Sequence, residues 1–181
     1  MKFIQTKIAG AYEIQLTAHK DARGRFKRHY CEREFSDAGL PAHFVQMNHS
    51  ITVGRGTVRG LHYQVPPATE DKLVSCTVGR AFDVAVDVRS GSPTFLAWTA
   101  IELDEERMFY IPKGCAHGFQ ALTNELHLVY MHSNPYMPEF ERGLLFDDPA
   151  INIDWPIAAK NVSDRDCSYS PIDSSFEGVK I

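Results

Sequence analysis

The segment Arg59-Gly60-Leu61-His62-Tyr63-Gln64, with Lys72 a short distance beyond, gathers side-chain types that acid–base chemistry needs. A free imidazole titrates at about 6.5, so it can accept a proton at neutral pH. A guanidinium holds an anion. An ammonium serves as an anion contact, as a stabiliser of a developing oxyanion, or simply as a solvated surface amine. A lone histidine in a strand is more often structural than catalytic. His62 stands out for its company, an arginine three residues before it and a lysine ten after it. In a regular strand Arg59 and His62 face opposite ways, so a shared cavity requires a bulge or a bend, and Gly60 permits one. Two further candidates are His117, in Pro112-Lys113-Gly114-Cys115-Ala116-His117-Gly118-Phe119, and Tyr130. Tyr130 lies within an apolar run and reads either as a packed aromatic with its hydroxyl paired or as a proton donor.

Other chemistries fit less well. A metal site wants two or three histidines plus a carboxylate. His117 follows a Pro-x-Gly-x-x-His turn of the kind seen in the second motif of cupin barrels, but His62 has no His-x-His partner beside it. The set is incomplete and no catalytic metal is expected. Cys115 and His117 share a strand face without the third, orienting group that a nucleophile needs.

The elements that must position these groups are short strands. Tyr12–Leu16 reads as one strand and Phe26–Tyr30 as another, separated by the polar turn His19–Gly24. Glu32–Ala38 reads as one short helix, Phe44–Met47 as extended, and Gly54–Gly56 as a turn feeding Thr57–Gln64. The clearest signal runs from Ala81 to Arg89, where Phe82, Val84, Val86 and Val88 alternate with Asp83, Ala85, Asp87 and Arg89. Period two sets the apolar residues on one packed face and turns the acids toward water or a cavity. Phe95–Leu103 and Met108–Ile111 continue the pattern around the charged turn Asp104-Glu105-Glu106, and Leu126–His132 adds a strand with Leu128, Tyr130 and His132 on one face. Many short strands with turn signals predict a β-sandwich or barrel. The long inter-strand helices of a doubly wound fold are missing.

Composition bounds the function. The 181 residues are 44% hydrophobic and 23% charged, ordinary for a folded domain, and one domain over 1–181 is expected. A net charge of −4 gives no support to a nucleic-acid face. Four cysteines without a CxxC pair read as reduced thiols. With neither an apolar leader nor an apolar run of about 18 residues, a cytoplasmic protein without membrane attachment is expected.

Taken together, Phe44-Val45-Gln46-Met47-Asn48-His49-Ser50, Arg59–Gln64, Phe82–Arg89, Ser92-Pro93-Thr94-Phe95, Ile111–Phe119, Asp148-Pro149 and Ile153-Asp154-Trp155-Pro156, in this order, resemble the dTDP-4-dehydrorhamnose 3,5-epimerase family. Any one block is weak; the ordered set spans most of the chain. The resemblance implies an all-β cupin jelly roll (a double-stranded β-helix) with short peripheral helices, working without a cofactor as a homodimer. It implies a substrate that is a 4-keto-6-deoxyhexose carried on a nucleoside diphosphate.

It further implies roles. The residue matching His62 is the general base, Asp166 orients it, Tyr130 is the acid on the opposite face, and Lys72 looks toward the 4-oxygen. His117 lines the same pocket and Asp83 buttresses it. Arg23 and Arg59 are implied as diphosphate contacts, Arg23 reaching over from the partner subunit. Gln46, Asn48 and Tyr136 match positions around the nucleotide or sugar, and Arg28, standing where the family usually has a glutamate, is implied as a substrate-binding residue. Departures from the family pattern fall at Lys27, Arg28, Met47, Asp71, Ser75 and Pro135. They imply a difference in base, sugar or number of centres inverted rather than in reaction type. Epimerisation at C3 and C5 of the dTDP-linked sugar is the leading expectation. A single-centre epimerase, one acting on a CDP- or GDP-linked sugar, and a non-catalytic sugar-nucleotide-binding cupin are the alternatives.

Overall fold

A computed structural model describes all residues from Met1 to Ile181. Thirteen strands dominate: β1 (Lys2–Gln5), β2 (Tyr12–Gln15), β3 (Ala18–Asp21), β4 (Gly24–Lys27), β5 (Gln46–Val53), β6 (Val58–Gln64), β7 (Lys72–Val78), β8 (Ala81–Asp87), β9 (Trp98–Leu103), β10 (Arg107–Ile111), β11 (Cys115–Ala121), β12 (Glu125–His132) and β13 (Glu141–Gly143). Two short helices lie outside them, α1 (Glu32–Asp37) and α2 (Asp164–Cys167). A six-stranded sheet runs β1-β2-β10-β7-β12-β5, a five-stranded sheet runs β13-β6-β11-β8-β9, and β3-β4 forms a separate hairpin. All strand pairs are antiparallel. This is the expected all-β, jelly-roll architecture with short peripheral helices.

The core lies between the sheets. Val74, Cys76, Leu126 and Leu128 from the six-stranded sheet meet Ala81, Ala85 and Phe119 from the five-stranded one. A second cluster, on the outer face of the five-stranded sheet, joins Leu61, Val84, Val86 and Val88 to Leu144, Ile151 and Ile153 of the long C-terminal segment. The alternation along β8 therefore packs on both faces. Asp83 and Asp87 are fully buried rather than solvated. Asp87 is compensated by Arg89, Ser92 and Thr94. Burial would raise its carboxyl, but these bonds hold it down at about 2.

Several elements differ from the sequence reading. The segment read as the turn His19–Gly24 instead forms most of a hairpin whose second strand ends at Lys27. Residues 92–97 turn rather than extend, with Leu96 at a positive φ of 60°. β1, β7 and β11 were not legible. In β7 the apolar run starts on Lys72 and is interrupted by Ser75, and both are buried. All four cysteines are unpaired. No helix is long and apolar enough to cross a membrane.

Candidate active site

Gly60 decides how β6 presents its side chains. On β11, His117 pairs with His62 and Phe119 with Arg59, so two steps on β11 span three on β6. The extra residue is a bulge, and it returns Arg59 to the face that carries His62. Gly60 holds a φ of +106°, and a Cβ there would stand 2.6 Å from the Gly118 Cα and from the His117 carbonyl oxygen. Only glycine tolerates that backbone in that space. The bend expected from the sequence is present, and Arg59 and His62 line one cavity.

That cavity, about 830 Å³, opens between the two sheets. From the five-stranded sheet come Arg59, His62 and His117; from the six-stranded sheet come Asn48, Lys72, Tyr130 and His132. Its size is in the range of small-molecule sites.

His62 and Asp166 meet although 104 residues apart, Nε2 lying 2.7 Å from Oδ1. The local sequence explains the reach. Ser163 caps α2 by accepting the Asp166 backbone N–H at 3.1 Å. In an ordinary capping box the acidic side chain at this position would turn back to the cap. Here it turns outward, and its second oxygen accepts the Gly60 N–H at 3.2 Å. Burial would raise the Asp166 carboxyl, but the His62 hydrogen bond, the His62 charge and the bonds from Gly60 and Ser163 outweigh it and hold it below its usual value. An ionised carboxylate only accepts, so the His62 proton sits on Nε2 and Nδ1 is left as the ring's proton acceptor.

A second pair stands alongside. His117 Nε2 lies 2.8 Å from Asp83 Oδ1. Asp83 is fully buried and its Oδ2 has no partner. Burial pushes its carboxyl up against the opposing pull of His117. Tyr130 packs edge-on to the His117 ring, with centroids 5.8 Å apart. Burial, and next the Asp83 charge, push the phenol well above its usual range, so it stays protonated and able to donate. Lys72 is 7% exposed, not the solvated amine its lysine identity alone suggests, and donates to the His62 carbonyl at 3.2 Å. Arg59 is exposed to the cavity and makes no ion pair. At the mouth, Glu141 accepts from the Tyr136 hydroxyl at 2.6 Å and pairs with Arg165 at 2.5 Å. No group of three or more His, Cys, Asp or Glu side chains is placed to share a metal ion.

The dTDP-4-dehydrorhamnose 3,5-epimerase family model matches residues 5–174. The chain belongs to this family. It is 43% identical to the dTDP-4-dehydrorhamnose 3,5-epimerase of Shigella flexneri, over 92% of this chain and 93% of that protein. It is 40% identical to the dTDP-4-dehydrorhamnose 3-epimerase of Streptomyces niveus, over 88% of this chain and 78% of that one. The solved dTDP-4-dehydrorhamnose 3,5-epimerase of Elizabethkingia anophelis superposes with a TM-score of 0.91 at 37% identity, covering 97% of this chain and 98% of its own.

Within this family member, the cavity gathers His62, Asp166, Tyr130, Lys72, His117, Arg59, Asn48 and Tyr136, with Asp83 immediately behind His117. Gln46 stands just off the wall, its amide oxygen accepting the Tyr136 backbone N–H at 3.0 Å. Arg23 and Arg28 do not reach this cavity. Arg23 lies at the β3–β4 hairpin, 90% exposed and paired with Asp21, and Arg28 pairs with Glu34. The departures from the family pattern at Lys27, Arg28, Met47, Asp71, Ser75 and Pro135 also fall off this cavity's wall, so they leave the chain's own lining unaltered. Asp71 is instead a buried hub that accepts from Tyr110, Lys113 and Ser133. The sequence reading missed Glu70, His132, Glu141, Ser163 and Arg165 as site residues. The available signals were Glu70 two residues before Lys72 and His132 two after Tyr130, the spacing of one strand face.

Proposed function

We propose that the chain epimerises a dTDP-linked 4-keto-6-deoxyhexose at C3 and C5, with His62 as base, Asp166 as its orienting carboxylate, Tyr130 as acid and Lys72 as stabiliser of the enolate oxygen. One observation carries this: a carboxylate-oriented imidazole on one sheet and a protonated phenol on the other line the same cavity, with a buried ammonium on the same wall bonded to the His62 carbonyl. A hydrogen on carbon beside a ketone is acidic because the electron pair left behind spreads onto oxygen. His62 Nδ1 takes that proton, the C–H electrons form the enolate, and the Lys72 ammonium meets the negative charge on the 4-oxygen. Return of a proton from the Tyr130 hydroxyl to the other face of the same carbon restores the ketone with inverted configuration, and proton exchange with solvent then deprotonates His62 and reprotonates Tyr130 before the next turnover. No electron pair leaves the substrate, so the reaction needs no oxidant. His117, held by Asp83, shapes the wall beside Tyr130. Arg59 is suited to the diphosphate because no carboxylate neutralises it, and Gln46, Asn48 and Tyr136 border the sugar nucleotide.

The protein works as a homodimer in this reading. Two features support it: β5 is a sheet edge that carries exposed Met47, Ile51 and Val53, and the β3–β4 hairpin carries an exposed Phe26 beside Arg23. Such an apolar edge calls for a cover. A twin supplies one, and brings Arg23 and Arg28 to the neighbouring cavity. Sedimentation equilibrium should give twice the chain mass of 20.4 kDa; the single-chain mass at micromolar protein overturns the dimer.

The single-centre alternative is kept because the Streptomyces niveus relative carries a 3-epimerase name. Incubating dTDP-, CDP- and GDP-linked 4-keto-6-deoxyglucose with the protein in D₂O, and following C3 and C5 by NMR, tests both. Deuterium entry at both carbons of the dTDP sugar with formation of the inverted product is expected. Exchange at C3 alone supports the alternative, and no exchange in any sugar overturns the enzyme reading.

A further inference from the structure

A third histidine–carboxylate pair lies in the same cavity, and no step above uses it. Lys72 and His132 are cross-strand partners on β7 and β12, and Glu70 precedes Lys72 by two residues. All three are buried. Glu70 divides its carboxylate between them: Oε1 lies 3.4 Å from the Lys72 ammonium and Oε2 lies 2.9 Å from His132 Nδ1. We propose that Glu70 is a positioning residue, one carboxylate that fixes the Lys72 ammonium and the His132 imidazole together and so sets which polar atoms this end of the cavity offers to the sugar.

The donor and acceptor inventory carries the argument. An ammonium has three N–H donors and no acceptor. One goes to the His62 carbonyl at 3.2 Å and a second faces Glu70, which leaves the third for a substrate oxygen. Burial would raise the Glu70 carboxyl, but the His132 hydrogen bond and the Lys72 charge outweigh it, so Glu70 is ionised and only accepts. His132 therefore carries its proton on Nδ1, toward Glu70, and Nε2 is an acceptor. The Asn48 amide nitrogen lies 3.4 Å from Nε2 and donates to it, which leaves the Asn48 carbonyl oxygen free as an acceptor in the cavity. The His132 ring also lies nearly parallel to the Tyr130 ring, with centroids 6.3 Å apart and planes 29° apart. A glutamine at position 70 cannot do both jobs. It has one acceptor oxygen, and its amide group would face either the ammonium or the His132 N–H, donor against donor.

The role of Lys72 rests on the epimerase reading; the His132 proton position does not, so the two can fail separately. Glu70→Gln should lower kcat for the dTDP sugar about 10- to 100-fold, the range of a lost charge-assisted hydrogen bond, with KM changed by less than about twofold. In a Lys72→Met background the same change should cost clearly less, because the part of its effect that runs through Lys72 is already gone. Long-range ¹H–¹⁵N NMR of the unmodified protein should find His132 protonated on Nδ1 and bare on Nε2. In Glu70→Gln the two tautomers should mix, while thermal melting confirms the fold. A full-rate Glu70→Gln enzyme, an equal loss in both backgrounds, or His132 protonated on Nε2 in the unmodified protein overturns the proposal. Should Glu70→Gln fail to fold, or the unmodified protein fail to turn over any sugar, the His132 proton position decides.

Discussion

Replacing Asp166 by asparagine changes one oxygen to an NH₂ group, and the surroundings make that small change expensive. Both Asp166 oxygens accept: Oδ1 faces His62 Nε2 at 2.7 Å and Oδ2 faces the Gly60 N–H at 3.2 Å. An asparagine has two arrangements here. With its oxygen toward His62, its NH₂ confronts the Gly60 N–H, donor against donor. With the amide reversed, Gly60 is satisfied, but His62 must move its proton to Nδ1, the atom from which the base acts. Either way the imidazolium formed during proton abstraction loses its counter-charge. A hydrogen bond to a charged group is worth about 1.5–3 kcal/mol, so kcat for C–H exchange should fall roughly 10- to 100-fold.

The same carboxylate sets a pH dependence of stability. Its folded pKa is depressed below 3.8. The stability it contributes is present above that ordinary value and is lost as pH falls through the lower folded one. Urea unfolding should therefore find the wild type ahead of Asp166→Asn at neutral pH, and the gap should narrow once the pH drops below 3.8. Exchange is read by NMR in D₂O, with KM followed separately. A variant that exchanges C–H protons at the wild-type rate, or a stability gap that widens in acid, refutes the assignment of Asp166 as the partner that orients the base.

Tyr130→Phe keeps the ring volume and removes only the donor; it should fold, release the substrate proton to D₂O through His62, and form little inverted product, so an undiminished product rate would take Tyr130 out of the mechanism. Lys72→Met should lower kcat more than it raises KM, because the charge is needed mostly where the enolate forms; a pure KM effect would make Lys72 a ground-state contact. Gly60→Ala forces a Cβ to 2.6 Å from the neighbouring backbone at a φ of +106°, and should destabilise the fold by at least about 2 kcal/mol. Calorimetry giving an unchanged Tm would show that the bulge can relax.

What the sequence revealed and what it hid divide along a physical line. Gly60 was legible because period two sets Arg59 and His62 on opposite faces, and only a break between them unites the pair. Asp83 was legible because an acid alternating with valines must face something other than the packed side. The His62–Asp166 contact was not, since nothing local links residues 104 apart; it entered through resemblance alone. The burial of Lys72 and Glu70 was hidden for a related reason. Each reads as surface by its charge, and their burial depends on their pairing with each other and with His132. A strand that begins on a charged residue and is interrupted by Ser75 shows only a short apolar run. Arg23 and Arg28 mark the opposite case, residues named by resemblance that a single chain keeps away from its own cavity.

In the proposed reaction, the two-sheet architecture itself accounts for inversion. Side chains on one strand that share a face lie on one side of whatever is bound there, so a base and an acid drawn from the same strand would serve the same face of a sugar ring. Retention would follow, with exchange but no epimerisation. Here His62 comes from β6 in the five-stranded sheet and Tyr130 from β12 in the six-stranded sheet. A ring bound between the sheets, as proposed, would have one on each side. Lys72 stands in the same sheet as Tyr130, yet its ammonium reaches across to the His62 carbonyl, which places the proposed oxyanion stabiliser beside the proposed base. Inversion needs opposite faces, and opposite faces are what a cavity between two packed sheets provides; the bulge at Gly60 and the outward turn of Asp166 then hold the proposed base at its wall.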